Sequence, residues 1–129
     1  MEDPLTNMAR AAQANAYAPY SRYAVGAALE ADNGRVFVGA NVENASFGLT
    51  MCAERVAVGA AVATGARRFK RIVIVTESSP PAAPCGACRQ VLVEFGGDTV
   101  VEAVGPSGSR RWLVSELLPS AFGREDLPQ

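Results

Sequence analysis

Residues 71–77 carry the stretch that most restricts the fold, the unbroken apolar run Ile72-Val73-Ile74-Val75. A strand with one wet face alternates apolar and polar side chains, so a run without alternation suits a central strand covered on both faces. Such a strand needs a layer above and a layer below, and the chain is expected to be α/β. Residues 4–18 read as a helix with Leu5, Met8, Ala12 and Ala16 on one face, broken by Pro19-Tyr20-Ser21. Residues 25–31 and 35–42 read as strands joined at Asp32-Asn33-Gly34, because Asn and Gly tolerate the positive φ of a tight hairpin. After a loop over 43–50, residues 51–64 read as a helix stopped by Gly65. It is apolar almost all round and is expected to be buried on more than one side. A Pro-rich loop over 78–84 leads to a helix over 85–95, ended by Gly96-Gly97. Strands over 99–104 and 111–114 flank Pro106-Ser107-Gly108, and a short helix over 115–118 stops at Pro119. The expected architecture is a three-layer sandwich, a mixed sheet of about five strands covered by helices, in a single domain over 1–129.

Histidine is absent from all 129 residues. That removes Ser-His and Cys-His nucleophile pairs and histidine metal ligands, and leaves proton transfer to a carboxylate, Lys, Tyr or Cys. Three cysteines is an odd count and suits a disulfide framework badly. With 49% hydrophobic and 19% charged residues, the chain has enough apolar material to close a core without such staples. A net charge of −1 implies no broad basic surface, so nucleic acid and anionic membranes are poor partners. The doublets Arg67-Arg68 and Arg110-Arg111 read as solvated positions at element ends. The acidic start, Met1-Glu2-Asp3-Pro4, lacks the apolar segment of a signal peptide. The longest apolar run, residues 56–63, is too short to span a bilayer. A cytoplasmic location is expected.

The chemistry concentrates in Cys52-Ala53-Glu54 and Pro84-Cys85-Gly86-Ala87-Cys88. Cys85 and Cys88 are three apart at the start of a helix, so their sulfurs share a face. Cys52 stands in the first turn of another. A helix N-terminus carries partial positive charge and free N–H donors, which lower a thiol pKa and favour the thiolate that binds metal. Three thiolates at two helix starts suit zinc. With no fourth cysteine and no histidine, one coordination position is left for water, as in catalytic zinc sites. Glu54, two residues from a ligand, is the expected proton shuttle, and it also complements the helix dipole. Arg55 is expected to support the site by donating to the sulfurs and offsetting their excess negative charge. Two other readings stay open on these residues alone. Cys85 and Cys88 form a redox pair, or the metal only holds the fold, with Glu54 as fourth ligand.

At these residues the sequence resembles the small homotetrameric zinc-dependent cytidine deaminase family. The matching stretches are Pro19-Tyr20-Ser21, Val25-Gly26-Ala27-Ala28, Asn41-Val42-Glu43-Asn44-Ala45-Ser46, Cys52-Ala53-Glu54-Arg55, Pro84-Cys85-Gly86-Ala87-Cys88-Arg89-Gln90, and Glu116-Leu117-Leu118-Pro119 with Phe122. The resemblance implies a cytidine deaminase-like fold and one Zn2+ per subunit, held by Cys52, Cys85 and Cys88. It implies that Asn41 and Glu43 bind the ribose 3′-hydroxyl, and that the Ala53 N–H binds the base carbonyl O2. Glu54 would bond the ring N3 and the exocyclic amine. Phe122 would stack on the base in a neighbouring subunit of a homotetramer with composite active sites. Ala45 falls among the substrate-binding residues, and Gln90 joins Arg55 in supporting the zinc ligands. Two positions depart from the family pattern. Tyr23 stands where a Phe is usual near the pyrimidine, and its hydroxyl needs a partner if buried. Phe47 stands where a Tyr is common, which removes one hydrogen bond near the ribose 5′ end.

The implied activity is hydrolytic deamination of free cytidine and deoxycytidine to uridine and deoxyuridine with release of ammonia, a step of pyrimidine salvage. Glu54 moves protons between water, N3 and the leaving amine. The alternative is a deaminase of a modified cytidine or another aminopyrimidine nucleoside, such as a blasticidin-type antibiotic. Asn41 and Glu43 favour a plain nucleoside with a free ribose.

Overall fold

The apolar run lies inside β3 (Phe69–Val75), the middle strand of a five-stranded sheet in a computed structural model that describes residues 2–128. The other strands are β1 (Gly26–Ala31), β2 (Val36–Ala40), β4 (Val100–Gly105) and β5 (Gly108–Leu113). Their order is β2-β1-β3-β4-β5, with β3 and β4 parallel and every other neighbouring pair antiparallel. The sheet is therefore mixed. The helices are α1 (Pro4–Gln13), α2 (Ala53–Ala63), α3 (Gly86–Val93) and the short α4 (Val114–Leu117).

The two-residue period of the strands sorts the core into two layers. Ala27, Leu29, Ile72, Ile74 and Val101 point to one face and meet Ala57, Val58 and Ala61 of α2 and Leu92 of α3. Ala28, Val73, Val75 and Val104 point to the other face and meet Leu5 and Ala9 of α1. Every side chain from Ile72 to Val75 is buried, so the missing alternation does mark a strand covered above and below.

Several boundaries differ from the sequence expectation, each for a long-range reason. The first helix stops at Gln13 rather than Ala18. The backbone of Tyr17 is taken by residues 41–43 instead: its N–H donates to the Asn41 carbonyl at 2.9 Å and its carbonyl accepts from the Glu43 N–H at 2.9 Å. The buried face of α1 is Leu5, Thr6, Ala9 and Ala12, with Met8 left 41% exposed. The second helix begins at Ala53 because Met51 bridges Val42. It is buried along one face only, with Gly59, Ala60 and Ala63 exposed. The last strand begins at Gly108, where its pairing with Gly105 closes a tight hairpin, so Arg110 and Arg111 stand inside an edge strand and not at an element end. Arg110 lies over the Trp112 ring at 4.6 Å, and Arg111 reaches Glu102 at 3.3 Å.

Two packing details place the catalytic side of the molecule. Gly39 lies under the first turn of α2, where a Cβ would come within 2.4 Å of the Ala53 carbonyl oxygen. Only a residue without a side chain lets that turn sit so close to β2. Parallel pairing of β3 with β4 requires a crossover, and α3 forms it. The start of α3 thus arrives at the same end of the sheet as the start of α2. Among the described residues no helix is long and apolar enough to cross a membrane.

Candidate active site

The starts of α2 and α3 converge, and their cap residues are cysteines. Cys52 is the N-cap of α2 and Cys85 the N-cap of α3, and neither side chain makes a capping hydrogen bond. A Ser or Asp there would stabilise each helix by about 1 kcal/mol. The helices forgo that, and the sulfurs and the first N–H groups stay available. Cys88, one turn into α3, is buried. The three Sγ atoms lie within 4.8 Å of one another, with Cys52 and Cys85 3.9 Å apart. A tetrahedral centre with metal–sulfur bonds of about 2.3 Å sets sulfur–sulfur separations of about 3.8 Å, so the trio fits a zinc ion. No disulfide joins them.

The electrostatics favour negative charge on one sulfur of the trio, that of Cys52. The Cys52 thiol is pulled down to about 5, first by a hydrogen bond from Cys88 and then by the Arg55 guanidinium. Cys88 is pushed up, because it donates that bond and because it is buried. Arg55 Nη2 donates to Cys52 Sγ at 3.4 Å. Its Nε is buried without a hydrogen-bond partner among the described residues.

Glu54 is 6% exposed. Burial raises its pKa and the Cys52 charge adds to that, while its own backbone N–H, Cys88 and Arg55 pull the other way. A carboxyl held above its ordinary range near a metal corner is suited to taking and returning a proton at neutral pH.

Beside this corner opens a cavity of about 230 Å³. Cys52, Ala53, Glu54 and Cys85 form its chemical end, and Tyr23 and Asn41 line it further out. Asn41 is buried and already half committed. Its Oδ1 accepts from the Val25 N–H at 2.9 Å and its Nδ2 donates to the Tyr23 carbonyl at 2.8 Å. One N–H and one lone pair remain. Tyr23 is 38% exposed, so it is not buried, and its hydroxyl meets Ser78 Oγ.

Other expected site residues stand apart from this cavity. Glu43 lines an adjoining hollow with Tyr20, Ser21 and Phe47. Its Oε1 accepts the backbone N–H groups of Tyr20 at 3.0 Å and Ser21 at 3.1 Å, and its Oε2 accepts the Ser21 hydroxyl. These bonds, the Ser21 hydroxyl first, hold its pKa below the usual carboxylate range. Phe47 is 73% exposed, with its ring edge-on to Tyr20 at 5.7 Å. Ala45 is exposed on the same loop. Phe122 is 59% exposed beyond the end of α4, where Gln90 Nε2 donates to its carbonyl at 2.9 Å. Gln90 thus braces the tail, whereas Arg55 donates to a sulfur. Thr50, Ala82 and Ala83 also line the cavity and carry no signal in the sequence, since their chemistry is plain.

The fold and the trio together define a zinc-site α/β domain of the deaminase type. The family described as the cytidine and deoxycytidylate deaminase zinc-binding region matches residues 1–104, and the chain belongs to that family. A cytidine deaminase of Sporosarcina psychrophila is 45% identical over 118 residues, covering 90% of this chain and 87% of that protein. One from Mycobacterium tuberculosis is 48% identical over 125 residues, covering 97% and 92%. The crystal structure of cytidine deaminase from Burkholderia pseudomallei superposes with a TM-score of 0.89 at 48% identity, covering 92% of this chain and 96% of that one.

Proposed function

We propose that the protein is a hydrolytic deaminase of free cytidine and deoxycytidine, acting as one domain over residues 1–129. The observation that carries this reading is the buried carboxyl of Glu54 at the wall of a cavity of about 230 Å³ that Cys52 and Cys85 of the cysteine trio also line. Relatives named cytidine deaminase at 45% and 48% identity support it.

Cys52, Cys85 and Cys88 hold the zinc, whose Lewis acidity makes hydroxide available near pH 7 when it is bound. Glu54 takes a proton from the water that adds to C4 of the base and passes it to N3. It then carries the proton of the new C4 hydroxyl to the amine. The C4–N bond breaks, ammonia leaves, and the C4 carbonyl of uridine or deoxyuridine forms with its N3 proton retained. The Ala53 N–H, at the first position of α2 and without an intrahelical acceptor, receives the base carbonyl O2. Asn41 offers its remaining N–H and lone pair to the ribose 3′-hydroxyl. Glu43, with three donors already on its carboxylate, has one acceptor position left for the same group.

Phe122, Phe47 and Ala45 belong to the part of the reading that needs neighbours. In a homotetramer with composite sites, Phe122 of one subunit covers the base held by another, and the 43–50 loop approaches an adjacent ribose. Pyrimidine salvage in the cytoplasm is the setting that fits a free nucleoside substrate. A substrate panel tests the reading. Cytidine and deoxycytidine are expected to lose their aminopyrimidine ultraviolet band with stoichiometric ammonia, and cytidine 5′-monophosphate and polynucleotides are expected to persist. Turnover of a modified aminopyrimidine without turnover of cytidine would replace it.

A further inference from the structure

One wall of the cavity is made by a segment that does not hold itself in place. Residues 78–84 leave β3 and arrive at Cys85, and they supply Ala82 and Ala83 to the lining. No backbone–backbone hydrogen bond is formed by residues 77–84 among the described residues. Two prolines of the segment, Pro81 and Pro84, are buried, and neither has an N–H to give. Side chains from three directions fix the segment instead. On the β4–β5 side, Ser79 Oγ meets Ser107 Oγ at 2.6 Å, and Gly105 packs so closely that a Cβ would fall 2.2 Å from the Ser78 carbonyl oxygen. On the α3 side, Arg89 Nε donates to the Pro84 carbonyl at 2.8 Å. From the stretch before β1, the Tyr23 hydroxyl meets Ser78 Oγ, and at the end of β3 the Ser78 N–H donates to Thr76 Oγ1 at 3.1 Å.

The Tyr23–Ser78 contact differs from the others in joining the root of this wall to a cavity-lining side chain of another segment, the stretch before β1. Tyr23 lies on the segment between α1 and β1, next to Asn41, which accepts a hydrogen bond from Val25 and donates one to Tyr23. Ser78 lies at the root of the Ala82–Ala83 wall. We infer that the Tyr23–Ser78 hydroxyl pair is a clasp that fixes the distance between these two walls and so sets how wide a pyrimidine ring the cavity accepts. The inference rests on the deaminase reading above. With O2, N3 and the amine edge of the base engaged by Ala53 and Glu54, the C5–C6 edge is the one left to meet the 78–84 wall. The clasp therefore makes Tyr23 a positioning and specificity-determining residue toward substituents at C5, acting through Ser78.

Two variants open the clasp. Tyr23→Phe keeps the ring and removes its hydroxyl. Ser78→Ala removes the partner, which is not part of the lining. Losing one neutral hydrogen bond that orders a wall is expected to raise KM for cytidine about three- to tenfold. The kcat is expected to change by less than about twofold, because the contact is the same in ground and transition states. For 5-methylcytidine the penalty shrinks, and its kcat/KM relative to cytidine rises at least about threefold in both variants. The double variant is expected to match either single one, since both remove the same contact. Wild-type protein that releases no ammonia from cytidine would sink the deaminase reading itself. Normal wild-type turnover with unchanged C5 discrimination in both variants would overturn the clasp alone, as would effects that multiply in the double variant. Zinc content and Tm of each variant, measured alongside, separate a loosened wall from a damaged fold.

Discussion

Cys52, Cys85, Cys88 and Glu54 stand at the N-caps and first turns of two α-helices seated on the sheet, whereas Ala45, Phe47 and Phe122 stand outside the α-helices and strands and are exposed to solvent. The first group is complete within one chain. Its sulfurs are mutually in reach, its carboxyl is buried, and its counter-charge, Arg55, touches a sulfur. The second group has little to touch. Phe47 meets Tyr20 by its edge, and Phe122 is held by its backbone carbonyl and not by its ring. On the proposed reading the contrast separates bond chemistry, which one chain builds, from the covering of the substrate, which falls to a neighbouring subunit.

Variants can break that contrast, and the expected effects fall in order. Glu54→Gln is isosteric and removes the proton carrier, so kcat is expected to fall by about 10³-fold or more with zinc content unchanged. Activity within tenfold of the wild type would move the proton transfer elsewhere. Arg55→Ala strips the donor from Cys52 and leaves excess charge on the trio. Zinc retention against a chelator and kcat are each expected to fall about tenfold or more, measured by metal analysis and steady-state rates. Phe122→Ala removes the ring proposed to cover the base in a neighbouring subunit and is expected to raise KM for cytidine about three- to tenfold with kcat nearly kept. Sedimentation of the same sample tells whether the loss follows a change of oligomeric state. A Phe122→Ala enzyme with wild-type KM would leave this ring without a role and dissolve the contrast.

The metal corner was legible in the sequence because its residue types are scarce. Three cysteines at two helix starts, in a chain without histidine, point to a bound metal more readily than to a disulfide framework or an apolar core. The buried middle of the sheet was equally plain, since Ile72 to Val75 offers no wet face. What the sequence hid depends on contacts between distant residues. Nothing near Gln13 says that Tyr17 will be bonded by residues 41–43, which is what ends α1 early. Met8 is more apolar than Ala9, yet Ala9 takes the buried place because α1 lies against β1 too tightly for a long side chain. Arg110 and Arg111 read as a doublet at an element end until the Gly105–Gly108 pairing draws both into β5. In the site, Asn41 was singled out by the resemblance, yet its two hydrogen bonds to Val25 and Tyr23 arise only when the chain is folded. Ala82 and Ala83 line the cavity by location alone.

Stepwise removal of zinc, with bound metal and ammonia release from cytidine measured on the same samples, tests the central claim most directly. One zinc per subunit at the start is expected, with activity falling in proportion to the metal lost, before the protein unfolds, and returning when zinc is restored. Full ammonia release from protein stripped of zinc would contradict the account.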